Sequence, residues 1–112
     1  MTARDTVVVS LAMQKNQPEG TARVLYNAPR GMLVYDGNLA PTPTGKSYQL
    51  WLVPMNGAPI SAGVFNPVNG EMNSIMARVP PGTAAKAFAV TLEPAGGMPA
   101  PTGPMILVGP VS

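Results

Sequence analysis

Proline recurs so often along this chain that no interval is left for a long uninterrupted helix. Fourteen prolines and twelve glycines are spread over 112 residues. An interior proline removes a helical N–H and clashes with the preceding turn. Glycine supplies the φ > 0 that tight corners need. Together they fit many short elements joined by turns. Hydrophobic residues make up 46%, enough apolar surface to pack a core. A chain of this size buries roughly two-thirds of its unfolded surface. One domain over residues 1–112 is therefore expected, with residues 1–5 disordered or an added extension.

The apolar residues alternate as in strands. Val7, Val9, Leu11 and Met13 alternate with Val8, Ser10 and Ala12, a period of two. Lys15 to Gly20 is a polar turn, and a second strand covers Thr21 to Asn27 with Val24 and Tyr26 on one side. Asn27-Ala28-Pro29-Arg30-Gly31 is a hairpin loop, answered by Met32 to Tyr35. Pro41 and Pro43 make Leu39 to Gly45 an extended crossing loop. Lys46 to Pro54 is the strongest strand, apolar enough on both faces for a central position. Asn56-Gly57 turns into a strand from Ile60 to Phe65, and Glu71 to Val79 follows. Thr83 to Ala87 admits one helical turn on propensity, before strand alternation resumes at Phe88. A Gly/Pro-rich loop from Ala95 to Gly103 leads to a final strand, Met105 to Val108. The expected fold is all-β: an antiparallel β-sandwich of seven to eight short strands, Ig-like in architecture.

The chain contains no His and no Cys. The usual general base, zinc ligand and thiol nucleophile are thus missing, and no Ser-His-Asp triad can form. Lys46 and Ser47 are adjacent, and adjacent strand residues point to opposite faces. Asp5, Glu19, Asp36, Glu71 and Glu93 show no local pairing of the kind glycoside hydrolysis uses. Calcium needs roughly six to eight oxygen ligands, and Asn69-Gly70-Glu71 offers too few. No catalytic residue, metal ligand or cofactor site is expected. The seven Lys and Arg are evenly spread, so nucleic acid is not an expected partner.

Three residues are candidates for ligand binding: Tyr48, Trp51 and Glu93. Exposed aromatics often line sugar or peptide grooves. For Trp51 the favoured reading is instead an anchor of the sandwich core, because Trp is highly buried on average. Glu93 precedes Pro94-Ala95-Gly96-Gly97. Its simplest role is to accept hydrogen bonds from the backbone N–H groups of that loop. Met13, Met72 and Met76 fall at strand-periodic positions and are expected to fill the core.

Tyr48-Gln49-Leu50-Trp51-Leu52-Val53-Pro54 followed by Pro59-Ile60-Ser61-Ala62-Gly63-Val64-Phe65 resembles the central block of the C-terminal domain of the anti-sigma-K factor family. Ala89-Val90-Thr91-Leu92-Glu93-Pro94-Ala95-Gly96-Gly97, with Pro99 and Pro101-Thr102-Gly103-Pro104, resembles its closing block. Arg23-Val24-Leu25-Tyr26 and Leu39-Ala40-Pro41 also fit. The resemblance implies a single-pass membrane regulator. In such proteins a cytoplasmic domain holds an extracytoplasmic-function sigma factor away from RNA polymerase. The C-terminal domain lies outside the cytoplasm and gates proteolytic release. On this reading the sigma-binding domain and the membrane anchor lie outside this chain. A membrane protease or an extracytoplasmic partner is implied, and no catalytic residue is carried over. The rival expectation is a cell-surface module binding carbohydrate or protein, favoured by an exposed Tyr48/Trp51 platform. An enzyme resting on two converging carboxylates is the third.

Overall fold

The computed structural model describes residues 5–14, 20–67 and 72–111. Eight strands follow one another: β1 (Thr6–Met13), β2 (Thr21–Asn27), β3 (Met32–Asn38), β4 (Lys46–Pro54), β5 (Ile60–Phe65), β6 (Asn73–Arg78), β7 (Ala85–Pro94) and β8 (Met105–Pro110). Their order across the sheet is β5-β4-β7-β8-β1-β2-β3-β6, with every pairing antiparallel. The fold is all-β, as expected. It is built as two layers. One is β1-β2-β3-β6, and the other is β5-β4-β7-β8.

β1 links the two layers. Its residues Thr6 to Leu11 pair with β2, whereas Ala12 and Met13 pair with Val108 and Leu107 of β8. The sandwich is therefore nearly closed into a barrel. Its remaining seam lies between β5 and β6, consecutive in sequence yet at opposite ends of the strand order. A Cβ placed on Gly63 of β5 would stand 3.3 Å from Cγ2 of Ile75 in β6, so the two edges meet through side chains there.

The core fills the space between the layers. Val24, Leu33 and Tyr35 from one side meet Leu50, Leu52, Phe88, Val90 and Leu107 from the other, all fully buried. Burying each such side chain contributes about 1.5–3 kcal/mol. Aromatic pairs add geometry. Tyr26 meets Phe88 edge-on at 5.3 Å, and Phe65 lies 5.0 Å from Tyr35 and 5.5 Å from Tyr48. Two tyrosine hydroxyls tie loops to this core. Tyr26 Oη donates to the Thr83 carbonyl at 2.6 Å, and Tyr48 Oη to Ala40 at 2.9 Å.

The structure corrects several sequence expectations. β3 continues past Tyr35 to Asn38, held by β2 on one side and β6 on the other. No helical turn forms at Thr83 to Ala87, because pairing of Ala85 and Ala87 with Pro54 and Val53 extends β7 backwards. Cross-strand pairing overrides the alanine preference. Met72 and Met76 do not fill the core: Met72, just before β6, is 61% exposed, and Met76, on the outer side of that edge strand, is 72% exposed. Residues 15–19 of the polar turn, the Asn69-Gly70-Glu71 segment and residues 1–4 lie outside the described residues.

Candidate functional site

β4 is buried on both faces, and the side away from the core carries its polar residues. Tyr48, Leu50 and Leu52 point between the layers, which leaves Ser47, Gln49 and Trp51 on the outer face. On β7, Thr91 stands opposite Gln49, and Glu93 opposite Ser47. Trp51 is fully buried without belonging to the interlayer core. Its full burial is as expected, but it stands outside the interlayer cluster. It lies instead on the face covered by residues 95–104, a strap that crosses back over β4 and β7.

Hydrogen bonds hold the strap down. The Gln49 side-chain amide pairs with the Met98 backbone as a strand would: Nε2 donates to Met98 O at 3.0 Å, and Met98 N donates to Oε1 at 2.9 Å. Nε2 also donates to Ser61 Oγ at 2.8 Å. Glu93 accepts from the Thr91 hydroxyl at 2.5 Å and from the Thr102 hydroxyl at 2.5 Å. It further accepts from the backbone N–H groups of Thr102 and Gly103 at 3.2 Å. Trp51 Nε1 donates to Thr91 Oγ1 at 2.8 Å. A continuous chain thus runs from the indole through Thr91 to the carboxylate and on to the strap. Gly103 is required by close approach, since a Cβ there would stand 1.7 Å from the Leu92 carbonyl oxygen.

Glu93 is fully buried, and among the described residues none of its hydrogen-bond partners is a cation. Burial pushes its pKa up. The hydroxyls of Thr102 and Thr91 and the N–H groups of Gly103 and Thr102 together outweigh that, holding the carboxyl below its usual 4.5. It is ionised at neutral pH with both oxygens occupied. Such a group binds its own strap rather than an external ligand.

Tyr48 and Trp51 are 5% and 0% exposed, so neither forms an exposed platform. Trp51 and Glu93 share one network, while Tyr48 belongs to the opposite face of the same strand. Glu93 does accept from backbone N–H groups, but from those of Thr102 and Gly103 rather than from the Pro94-Ala95-Gly96-Gly97 stretch beside it. Gln49, Thr91 and Thr102 were not singled out from the sequence. The available signal was polar Ser47, Gln49, Thr91 and Glu93 spaced by two within two otherwise apolar strands. Asp36 lies on the outer face of the other layer, in a shallow depression of about 300 Å³ lined also by Ser10, Arg23 and Met72. Asp36 and Glu93 therefore do not converge, and Glu19 and Glu71 lie outside the described residues. No cluster of three or more potential metal-ligating residues occurs among the described residues. Nor is any helix there long and apolar enough to cross a membrane.

The family model for the C-terminal part of anti-sigma-K factors matches residues 1–105. This chain belongs to that family. Anti-sigma-K factor RskA of Mycobacterium tuberculosis strain H37Rv is 37% identical over 89 residues, covering 78% of this chain and 38% of the relative. The protein of the same name from Mycobacterium sp. strain KMS is 37% identical over 89 residues, covering 76% and 35%. That of Mycolicibacterium vanbaalenii strain PYR-1 is 35% identical over 95 residues, covering 83% and 39%. The chain thus spans well under half the length of these curated relatives. No solved structure matches it.

Proposed function

We propose that this domain is the non-enzymatic regulatory part of a membrane-tethered anti-sigma factor, placed on the extracytoplasmic side, whose folded state restrains proteolytic release of an extracytoplasmic-function sigma factor. The sigma factor would be held by a part of the protein beyond the family match. The observation that carries the reading is the strap. Its backbone is bound by Gln49 and Glu93, and proteolysis requires an opened, extended segment. Membership in the anti-sigma-K factor family supports the regulatory role.

In this mechanism the strap stays closed as long as the folded layers hold its backbone through Gln49 and Glu93. A partner, ligand or stress that favours the open form sets the rate of cleavage through the population of that form. Trp51→Ala removes the largest fully buried side chain and the donor to Thr91. It is expected to destabilise by about 3–5 kcal/mol, to speed cleavage and to raise sigma-dependent transcription. Transcription that stays flat while the variant domain is shown to unfold would sink the gating mechanism.

A further inference from the structure

The outer faces of the two layers differ. The face of β4 and β7 is covered by the chain's own strap, while among the described residues no such strap crosses that of β1, β2, β3 and β6. Ladder register runs an apolar row straight across this latter face: Val8 beside Leu25, Leu25 beside Val34, Val34 beside Met76. Val8 is 61% and Met76 72% exposed, and the two middle members are half-buried. One pleat along lies a polar row, Ser10, Arg23, Asp36 and Ser74, in the same order. There Arg23 Nη2 stands 3.5 Å from Asp36 Oδ2, and Ser74 Oγ donates to Asp36 Oδ1 at 2.6 Å.

We infer that this face docks against the same face of a second copy of the chain. The pattern is self-complementary. A two-fold axis parallel to the strands, midway between β2 and β3, exchanges β2 with β3 and β1 with β6. It lays Leu25 on the partner's Val34 and Val8 on the partner's Met76. It also sets Arg23 against the partner's Asp36, and Asp36 against the partner's Arg23. Two loose surface ion pairs become one network of four alternating charges beside a continuous apolar strip. The sheets stack in the aligned manner that facing β-layers favour, through the isologous contact of a two-fold dimer. Four strands about 4.8 Å apart, over the two rows about 7 Å apart, make a patch on the order of 270 Å² per copy. That is well below the area of stable interfaces, so the dimer is weak and reversible.

The test is sedimentation of the 112-residue chain from roughly 1 µM to 1 mM. The weight-average mass is expected to rise from 11.6 kDa towards twice that value. Arg23→Asp and Asp36→Arg each set like charges opposite one another across both symmetry-related contacts. Each is expected to weaken self-association at least ~tenfold. An equimolar mixture of the two variants, one wholly acidic and one wholly basic at these positions, is expected to recover association as a heterodimer. Both substitutions are on an exposed face, and thermal melting of each variant establishes that it is folded. A single mass at every concentration would overturn the inference. So would a dimer indifferent to both reversals, or variants that do not rescue one another. Protection of Met76 from oxidation that appears only in a lengthened chain would overturn it too, assigning the face to an intramolecular segment.

Discussion

Removing the buried carboxylate of Glu93 should cost this domain a large part of its stability. Four donors converge on it: the hydroxyls of Thr91 and Thr102 and the N–H groups of Thr102 and Gly103. In Glu93→Ala the hydroxyls can rotate to other acceptors, but the two backbone donors cannot. Each buried donor left without a partner costs about 1–3 kcal/mol, and the lost side chain leaves a void. A loss of about 3–5 kcal/mol is expected, against a total of about 5–15 kcal/mol for a domain. Glu93→Gln keeps the volume but turns an amide donor towards groups that are themselves donors. About half that loss is expected from it. Urea unfolding followed by Trp51 fluorescence and far-UV circular dichroism measures both. The pH dependence supplies a second readout. The folded carboxyl titrates below its ordinary 4.5, so the unfolded chain takes up its proton first as pH falls. The contribution is complete above about 4.5, drains away as pH drops through the folded value, and is missing from Glu93→Gln. A loss below about 1 kcal/mol in Glu93→Ala, or identical acid slopes for wild type and Glu93→Gln, would refute the reasoning.

Other substitutions probe separate parts of the same structure. Gly103→Ala drives a Cβ into the Leu92 carbonyl; it should destabilise by about 2–4 kcal/mol and open residues 95–104 to limited proteolysis before the rest of the domain, as mapped by mass spectrometry. The tyrosines should separate by their hydroxyls. Tyr35 Oη is buried without a hydrogen-bond partner among the described residues, so Tyr35→Phe is expected to be neutral or stabilising, whereas Tyr26→Phe gives up the bond to Thr83 and should lose about 1 kcal/mol in the same denaturation assay.

The strand framework was legible because turn residues and alternation agreed. Lys46 to Pro54 and Ile60 to Phe65 form strands where the sequence placed them, each bounded by Pro or Gly. The side on which Trp51 lies was harder to read. β4 is covered on both faces, and its period of two separates odd from even positions without naming the face that meets the other layer. The strap bound on that same face by Gln49 and Glu93 comes more than forty residues later, invisible to any local window. Met72 and Met76 failed for a related reason. Both sides of β6 mix apolar and polar residues, so the pattern carried little information about which side faced inwards. Glu93 was readable because a carboxylate entering a Gly/Pro loop has backbone donors nearby. Its relay through Thr91 to Trp51 depends on β4–β7 pairing, which no sequence period encodes.

The pairing of Ala12 and Met13 with Val108 and Leu107 has a consequence for how the domain comes into being. β1 and β8 are mutual neighbours, so a chain emerging from synthesis or export cannot complete this architecture until β8 is free. Until then β1 and β7 each present an unsatisfied edge, a state that invites chaperones or aggregation. With so many contacts linking distant parts of the chain, maturation should be slow and all-or-none. Loss of the last six-residue strand should abolish the fold as a whole rather than trim it.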